Sequence, residues 1–178
     1  MTTSPTTSSR PSRPRSELRV LGVDPGLVET GWALIEPGPG GVVVLDTGVI
    51  ATSREVPLEE RLVVIYDGVS NLLTRHVPVH LVLEDLYAEY RFPRTALLMA
   101  HARGVVCLAA HQHGVDVLAL APAEVKRAVT ANGAASKEQV QQCVRRILRL
   151  ETPPTPSHVA DALALAITGY SRLGGALR

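Results

Sequence analysis

The sequence predicts a single α/β domain, with a mixed five-stranded sheet covered by helices on both faces. Three observations carry this. Strand-like runs at 18–24, 30–36 and 42–51 are joined by connections short enough for antiparallel hairpins. Two further apolar runs, 79–86 and 115–120, each follow a stretch of helical spacing. The rest of the chain then reads as helix after helix, and the order β-β-β-α-β-α-β followed by helices suits a sheet with both faces covered.

Each element has its own signal. Pro25-Gly26 and Pro37-Gly-Pro-Gly-Gly41 punctuate the first three strands. Between 57 and 76, Leu58, Leu62, Ile65, Val69, Leu72 and Leu73 fall on one helical stripe. A helix at 94–113 precedes the strand at 115–120. Pro122 occupies the favoured first position of a helix at 122–131. Ser136 is placed to cap a helix at 137–150, with Pro153-Pro154 as its stop, and Ser157 to cap a last helix reaching 172. The expected organisation is a disordered tail at 1–17, a folded domain at 18–173 and a short tail at 174–178. The first segment is rich in Ser, Thr and Pro and has no apolar periodicity with which to build a core.

Composition narrows the function classes. The chain has 178 residues, 46% of them apolar, and a mean hydropathy of +0.14. That is enough to bury a sizeable core. No run approaches the roughly 18 apolar residues that a spanning helix needs. Cys107 and Cys143 are far apart and lack metal-ligand spacing, so they read as reduced core thiols of a cytoplasmic protein. Net charge is +1, but Arg10, Arg13 and Arg15 all precede the first acid. Of the 18 basic residues that leaves 15 to set against 17 acidic ones. There is no global basic signature, and any nucleic-acid contact must come from local patches.

The chemistry lies in three acids placed in apolar elements. Asp24 ends the run Leu18–Asp24, Glu84 ends Val79–Glu84, and Asp161 interrupts the greasy segment 157–167. Ionised carboxylates are rarely buried without a partner, so three of them suggest a divalent cation. Alternation places Val20, Gly22 and Asp24 on one face of their strand, and Val82 and Glu84 on one face of theirs. Asp85 faces the other way, so Glu84 is the candidate. His158 and Asp161 are three apart on the last helix and share a face. Hard oxygen ligands with one imidazole suit Mg²⁺ or Mn²⁺. A paired-ion site of this kind serves phosphodiester hydrolysis.

These segments resemble the RuvC family of Holliday junction resolvases, which have an RNase H-like fold. The resemblance rests on Leu21-Gly-Val-Asp-Pro-Gly26 with Thr30-Gly31, Leu83-Glu84, Ala102-Arg-Gly-Val105, Val125-Lys126, Lys137-Glu-Gln-Val140 and His158-Val-Ala-Asp-Ala-Leu-Ala164. They occur in family order across about 18–170. It implies that Asp24, Glu84 and Asp161 are ligands of two Mg²⁺ or Mn²⁺ ions. His158 stands where the family often has a fourth acid, and can ligate an ion or assist the attacking water. That substitution is expected to favour Mn²⁺. Lys126 and Lys137 match family lysines near the scissile phosphate, Lys126 holding a phosphate and Lys137 stabilising developing charge. Tyr87 falls where the family has an aromatic that stacks on a junction base.

One segment departs from the family pattern. The family usually has a polar, Asn-containing stretch after Tyr87, whereas this chain carries Phe92-Pro93 flanked by Arg91 and Arg94. Those arginines are suited to gripping backbone phosphates without reading bases. The small and apolar residues of 94–113 pack into the core or, as the resemblance implies, form a symmetric homodimer able to cut a four-way junction in two symmetric places. Branch-migration motor proteins of the RuvA/RuvB type are the implied partners. Arg145, Arg146 and Arg149 make 137–150 the best folded basic patch. Two other readings remain: a junction-binding module that does not cut, and an RNase H-fold nuclease for other branched DNA.

Overall fold

A computed structural model of the chain describes residues 18–85 and 93–176, with the side chains of 93–95 outside that description. The first three strands are β1 (Val20–Asp24), β2 (Glu29–Gly38) and β3 (Gly41–Ala51). Helix α1 (Leu58–His76), β4 (His80–Glu84), α2 (Pro93–Gln112) and β5 (Asp116–Leu120) follow, and then α3 (Pro122–Thr130), α4 (Lys137–Ile147) and α5 (Ser157–Arg172). The sheet order is β3-β2-β1-β4-β5. The β1–β2 and β2–β3 pairs are antiparallel, and β4 runs parallel to both β1 and β5. This is the mixed sheet of an RNase H-like fold, as expected.

Alternation along the strands divides the core into two layers. Leu21 and Val23 of β1, Leu34 of β2 and Leu81 and Leu83 of β4 face α1 and α2, where Ile65, Val69, Ala102 and Val106 complete one cluster. Val20, Ala33, Ile35 and Val82 face the opposite layer, formed by α3, α4 and α5. Val23 pairs with Leu83 in the parallel β1–β4 register, so the next residues, Asp24 and Glu84, end adjacent strands on the α5 side.

Helix α5 positions the site. Residues 159–170, apart from Asp161, are buried, which is the signature of a helix enclosed on all sides. It lies directly on β1 because Gly22 has no side chain. A Cβ there would sit 2.1 Å from the Ala162 carbonyl oxygen and 2.7 Å from the Ala166 nitrogen.

The elements depart from expectation at several ends: β2 runs on through Pro37 to Gly38, and β4, α4 and the start of α5 also differ. Strand β4 closes at Glu84, although the Asp85 amide still donates to Leu120 O at 2.8 Å. Helix α4 ends at Ile147, before Pro153-Pro154. The chain turns at Arg149 (φ 52°), and Leu150 N donates back to Arg145 O. Ser157 does not cap α5: Pro156 holds the N-cap position and no side-chain cap is made. Ser136 does cap α4, in a reciprocal capping box with Gln139. Among the described residues, no helix is long and apolar enough to cross a membrane.

Candidate active site

Where β1 and β4 end, the first turn of α5 crosses above them. This brings His158 and Asp161 to Asp24 and Glu84 in a cavity of about 870 Å³. His158 Nδ1 lies 2.8 Å from Asp24 Oδ2. Its Nε2 lies 3.6 Å from Glu29 Oε2. Lys137, on the first turn of α4, places Nζ 3.3 Å from Asp161 Oδ2. Lys126 of α3 lines the same cavity. These are the only two lysines in the sequence, and both are here.

The electrostatics show carboxylates crowded beyond what their cations offset. Burial, and then the charges of Asp24 and Asp161, push the Glu84 carboxyl from 4.5 up to about 7, against the opposing pull of Lys137 and Lys126. Burial and then Asp24 push Asp161 up as well. The Asp161 charge raises Lys137. His158 is raised chiefly by its hydrogen bond to Asp24. Acids whose protons are held on first by burial and then by one another's charge are the electrostatic form of a cation site.

The donor set fits that reading. One ligand atom from each of Asp24, His158 and Asp161 lies within 4.8 Å of the others, with Glu84 lining the same cavity. Two carboxylates and an imidazole at that spacing suit a small divalent ion.

Asp85 sits on the opposite face from Glu84, with its carboxylate 3.5 Å from Arg103 Nη2. Tyr87 and Arg91 lie outside the described residues. Arg94 falls in the first turn of α2, and its side chain is outside them too. In the basic patch of α4, Arg145 Nη1 donates to Glu151 O at 3.3 Å, so part of that patch is spent on its own backbone.

Sequence reasoning missed three charged residues that line the cavity: Glu29, Arg54 and Arg61. Arg61 Nε donates to Leu27 O at 3.2 Å and to Thr52 Oγ1 at 3.1 Å. The helical pattern shows Arg61 only as lying off the apolar stripe of α1. Glu29 shares a strand face with Gly31, but only the packing of α5 over that glycine gives this a meaning.

Comparison with known proteins bears on this geometry. The family model described as "Crossover junction endodeoxyribonuclease RuvC" matches residues 20–169. A RuvC from Rhodopirellula baltica is 43% identical over 159 residues, covering 89% of each chain. One from Mycobacterium avium is 47% identical over 151 residues, covering 84% of this chain and 80% of its own. The structure of Thermus thermophilus RuvC in complex with a Holliday junction substrate superposes with a TM-score of 0.81 at 38% identity, covering 88% of this chain and 96% of that one. The yeast mitochondrial Holliday junction resolvase shares the fold, with a TM-score of 0.61 at 13% identity.

Proposed function

From the premise that this chain belongs to the RuvC family of crossover junction endodeoxyribonucleases, we propose that it resolves four-way DNA junctions by divalent-metal-dependent hydrolysis in the β1–β4–α5 cavity. The observation that carries this is the convergence of Asp24, Glu84, His158 and Asp161 beside the chain's only two lysines. A rim of cations suits a phosphodiester, and a centre of crowded acids suits the ions that cut it.

Asp24, Glu84, His158 and Asp161 would hold two ions, Mg²⁺ or Mn²⁺, with the imidazole favouring Mn²⁺. Ions bound there would supply an activated water and neutralise charge on the leaving oxygen. The protein's part is positioning. Lys137, paired with Asp161, would turn its ammonium to a non-bridging oxygen of the scissile phosphate as charge develops there. Lys126 holds a phosphate beside it, Tyr87 stacks on a junction base, and Arg91 and Arg94 grip the backbone. Water adds to phosphorus and the bond to the 3′ oxygen breaks, leaving a 5′-phosphate and a 3′-hydroxyl.

Two symmetric cuts call for two copies of the site. The exposed side of α2 supports a homodimer built around that helix. It presents Leu97, 65% exposed, with Leu108, and at Gly104 between them an added Cβ would meet nothing within 4 Å. The nuclease domain would span 18–173, with tails at 1–17 and 174–178. It would act in the cytoplasm, with branch-migration motors of the RuvA/RuvB type as partners.

Competition between a labelled four-way junction, a flap and a plain duplex, in Mg²⁺ and separately in Mn²⁺, tests the proposal. Preferential cutting of the junction is the expected result. Preferential cutting of the flap would replace it with a nuclease for other branched DNA.

A further inference from the structure

Glu29 lies in none of the segments that carry the family resemblance, yet it faces the same histidine as Asp24 does. The β1–β2 register pairs Asp24 with Gly31. A Cβ at Gly31 would lie 2.2 Å from the His158 carbonyl oxygen and 2.7 Å from its Cβ, so the first turn of α5 rests on that glycine. Glu29 precedes Gly31 by two residues and therefore projects from the same face of β2.

The backbone at this point is fixed on both sides. Glu29 pairs with Ala51 of β3, the Thr52 amide donates to Val28 O at 2.8 Å, and the buried Thr30 hydroxyl donates to Gly26 O at 2.8 Å. The imidazole of His158 is thus bracketed by two carboxylates, with Nδ1 toward Asp24 at 2.8 Å and Nε2 toward Glu29 at 3.6 Å.

A histidine that binds a cation through one nitrogen keeps a proton on the other. That N–H is normally held by a carboxylate or carbonyl, which fixes the tautomer and the rotation of the ring. Here the nitrogen on the acid side is Nδ1, and Nε2 faces Glu29. We propose that Glu29 is the positioning residue for His158: its carboxylate accepts a hydrogen bond from Nε2–H and aims Nδ1 into the Asp24–Asp161 cation site. The inference rests on the reading of His158 as an ion ligand. A 3.6 Å separation closes to a hydrogen bond with a small rotation of either side chain.

The test is Mn²⁺ binding to the full chain without DNA, followed by calorimetry, in Glu29→Ala, Glu29→Val, Glu29→Gln, His158→Ala and the double variant Glu29→Ala/His158→Ala. Glu29→Ala and Glu29→Val should each weaken Mn²⁺ binding by about 10- to 100-fold, the usual cost of losing such a partner. Val, as a good strand former, guards against a fold defect at this strand position. Glu29→Gln keeps an acceptor oxygen and should recover most of the affinity. In the His158→Ala background, Glu29→Ala should cost nothing further, because Glu29 acts through the ring.

Wild-type affinity in Glu29→Ala alongside a loss in His158→Ala overturns the proposal and leaves the ligand reading intact. An equal Glu29→Ala loss in the His158→Ala background also overturns it, since Glu29 would then be acting on the ion by charge alone. Unchanged Mn²⁺ binding in His158→Ala overturns the ligand reading itself, and the role of Glu29 falls with it.

Discussion

Substituting Glu84 with glutamine should stabilise the ion-free protein while abolishing its activity, and the size of the effect follows from the crowding around that carboxyl. In the fold it titrates at about 7, against 4.5 for an ordinary glutamate. Between those values the folded state holds a proton that the unfolded state has released, so stability falls as pH rises through this window. At about 1.4 kcal/mol per unit the full penalty is about 3 kcal/mol, and partial solvent access reduces it to about 2 kcal/mol. Burial, the largest cause, pushes Asp161 in the same direction and adds to the slope.

The assay is urea unfolding followed by circular dichroism, in EDTA, across about pH 5 to 8. Wild type should lose stability steadily over that range. Glu84→Gln should match it near the acid end and exceed it by about 2 kcal/mol at the alkaline end. Saturating Mg²⁺ should narrow or reverse the difference, because an ion held by the four-residue site would stabilise only the folded state. The same pH dependence in Glu84→Gln and wild type in EDTA would refute the reasoning, by showing that burial and the neighbouring acids do not hold a proton on Glu84.

Other consequences are open to direct measurement. Gly22→Ala drives a methyl group into the Ala162 carbonyl, and overpacking at this contact should cost about 3 kcal/mol in urea unfolding. Ser136→Ala removes the capping box of α4 and should cost about 1 kcal/mol, with Lys137 at the loosened end. If Arg61, held by Leu27 O and Thr52, presents its outer nitrogens to a DNA phosphate, Arg61→Ala should reduce the salt slope of junction binding in EDTA by about 0.9.

Much of this molecule can be read from its sequence, because its strong signals are local. Alternation in two short strands was enough to place Asp24 and Glu84 on one face and Asp85 on the other. Helical spacing was enough to pair His158 with Asp161. The glycines were harder to read. Gly22 and Gly31 look like weak strand residues, and only the packing shows that each clears room for α5. Glu29 stayed hidden for the same reason, since its meaning depends on which helix lies over Gly31. The misplaced end of α4 reflects a turn made by Arg149 in a left-handed conformation, for which an arginine gives no signal. Pro156 takes the N-cap position of α5 and Ser157 is its first helical residue, one residue on from where capping preference alone put the serine.

In the function proposed for this chain, the acids at the ends of β1 and β4, with α5 above them, cut a four-way junction with divalent ions. The most direct test incubates wild type and Asp24→Asn with an end-labelled synthetic junction, in Mg²⁺ and separately in Mn²⁺, and maps the nicks on all four strands. Paired nicks at symmetric positions by wild type, with binding but no cutting by Asp24→Asn, are the predicted result. Tight junction binding by wild type with no cut in either metal would contradict the account and leave a structure-specific binding protein in its place.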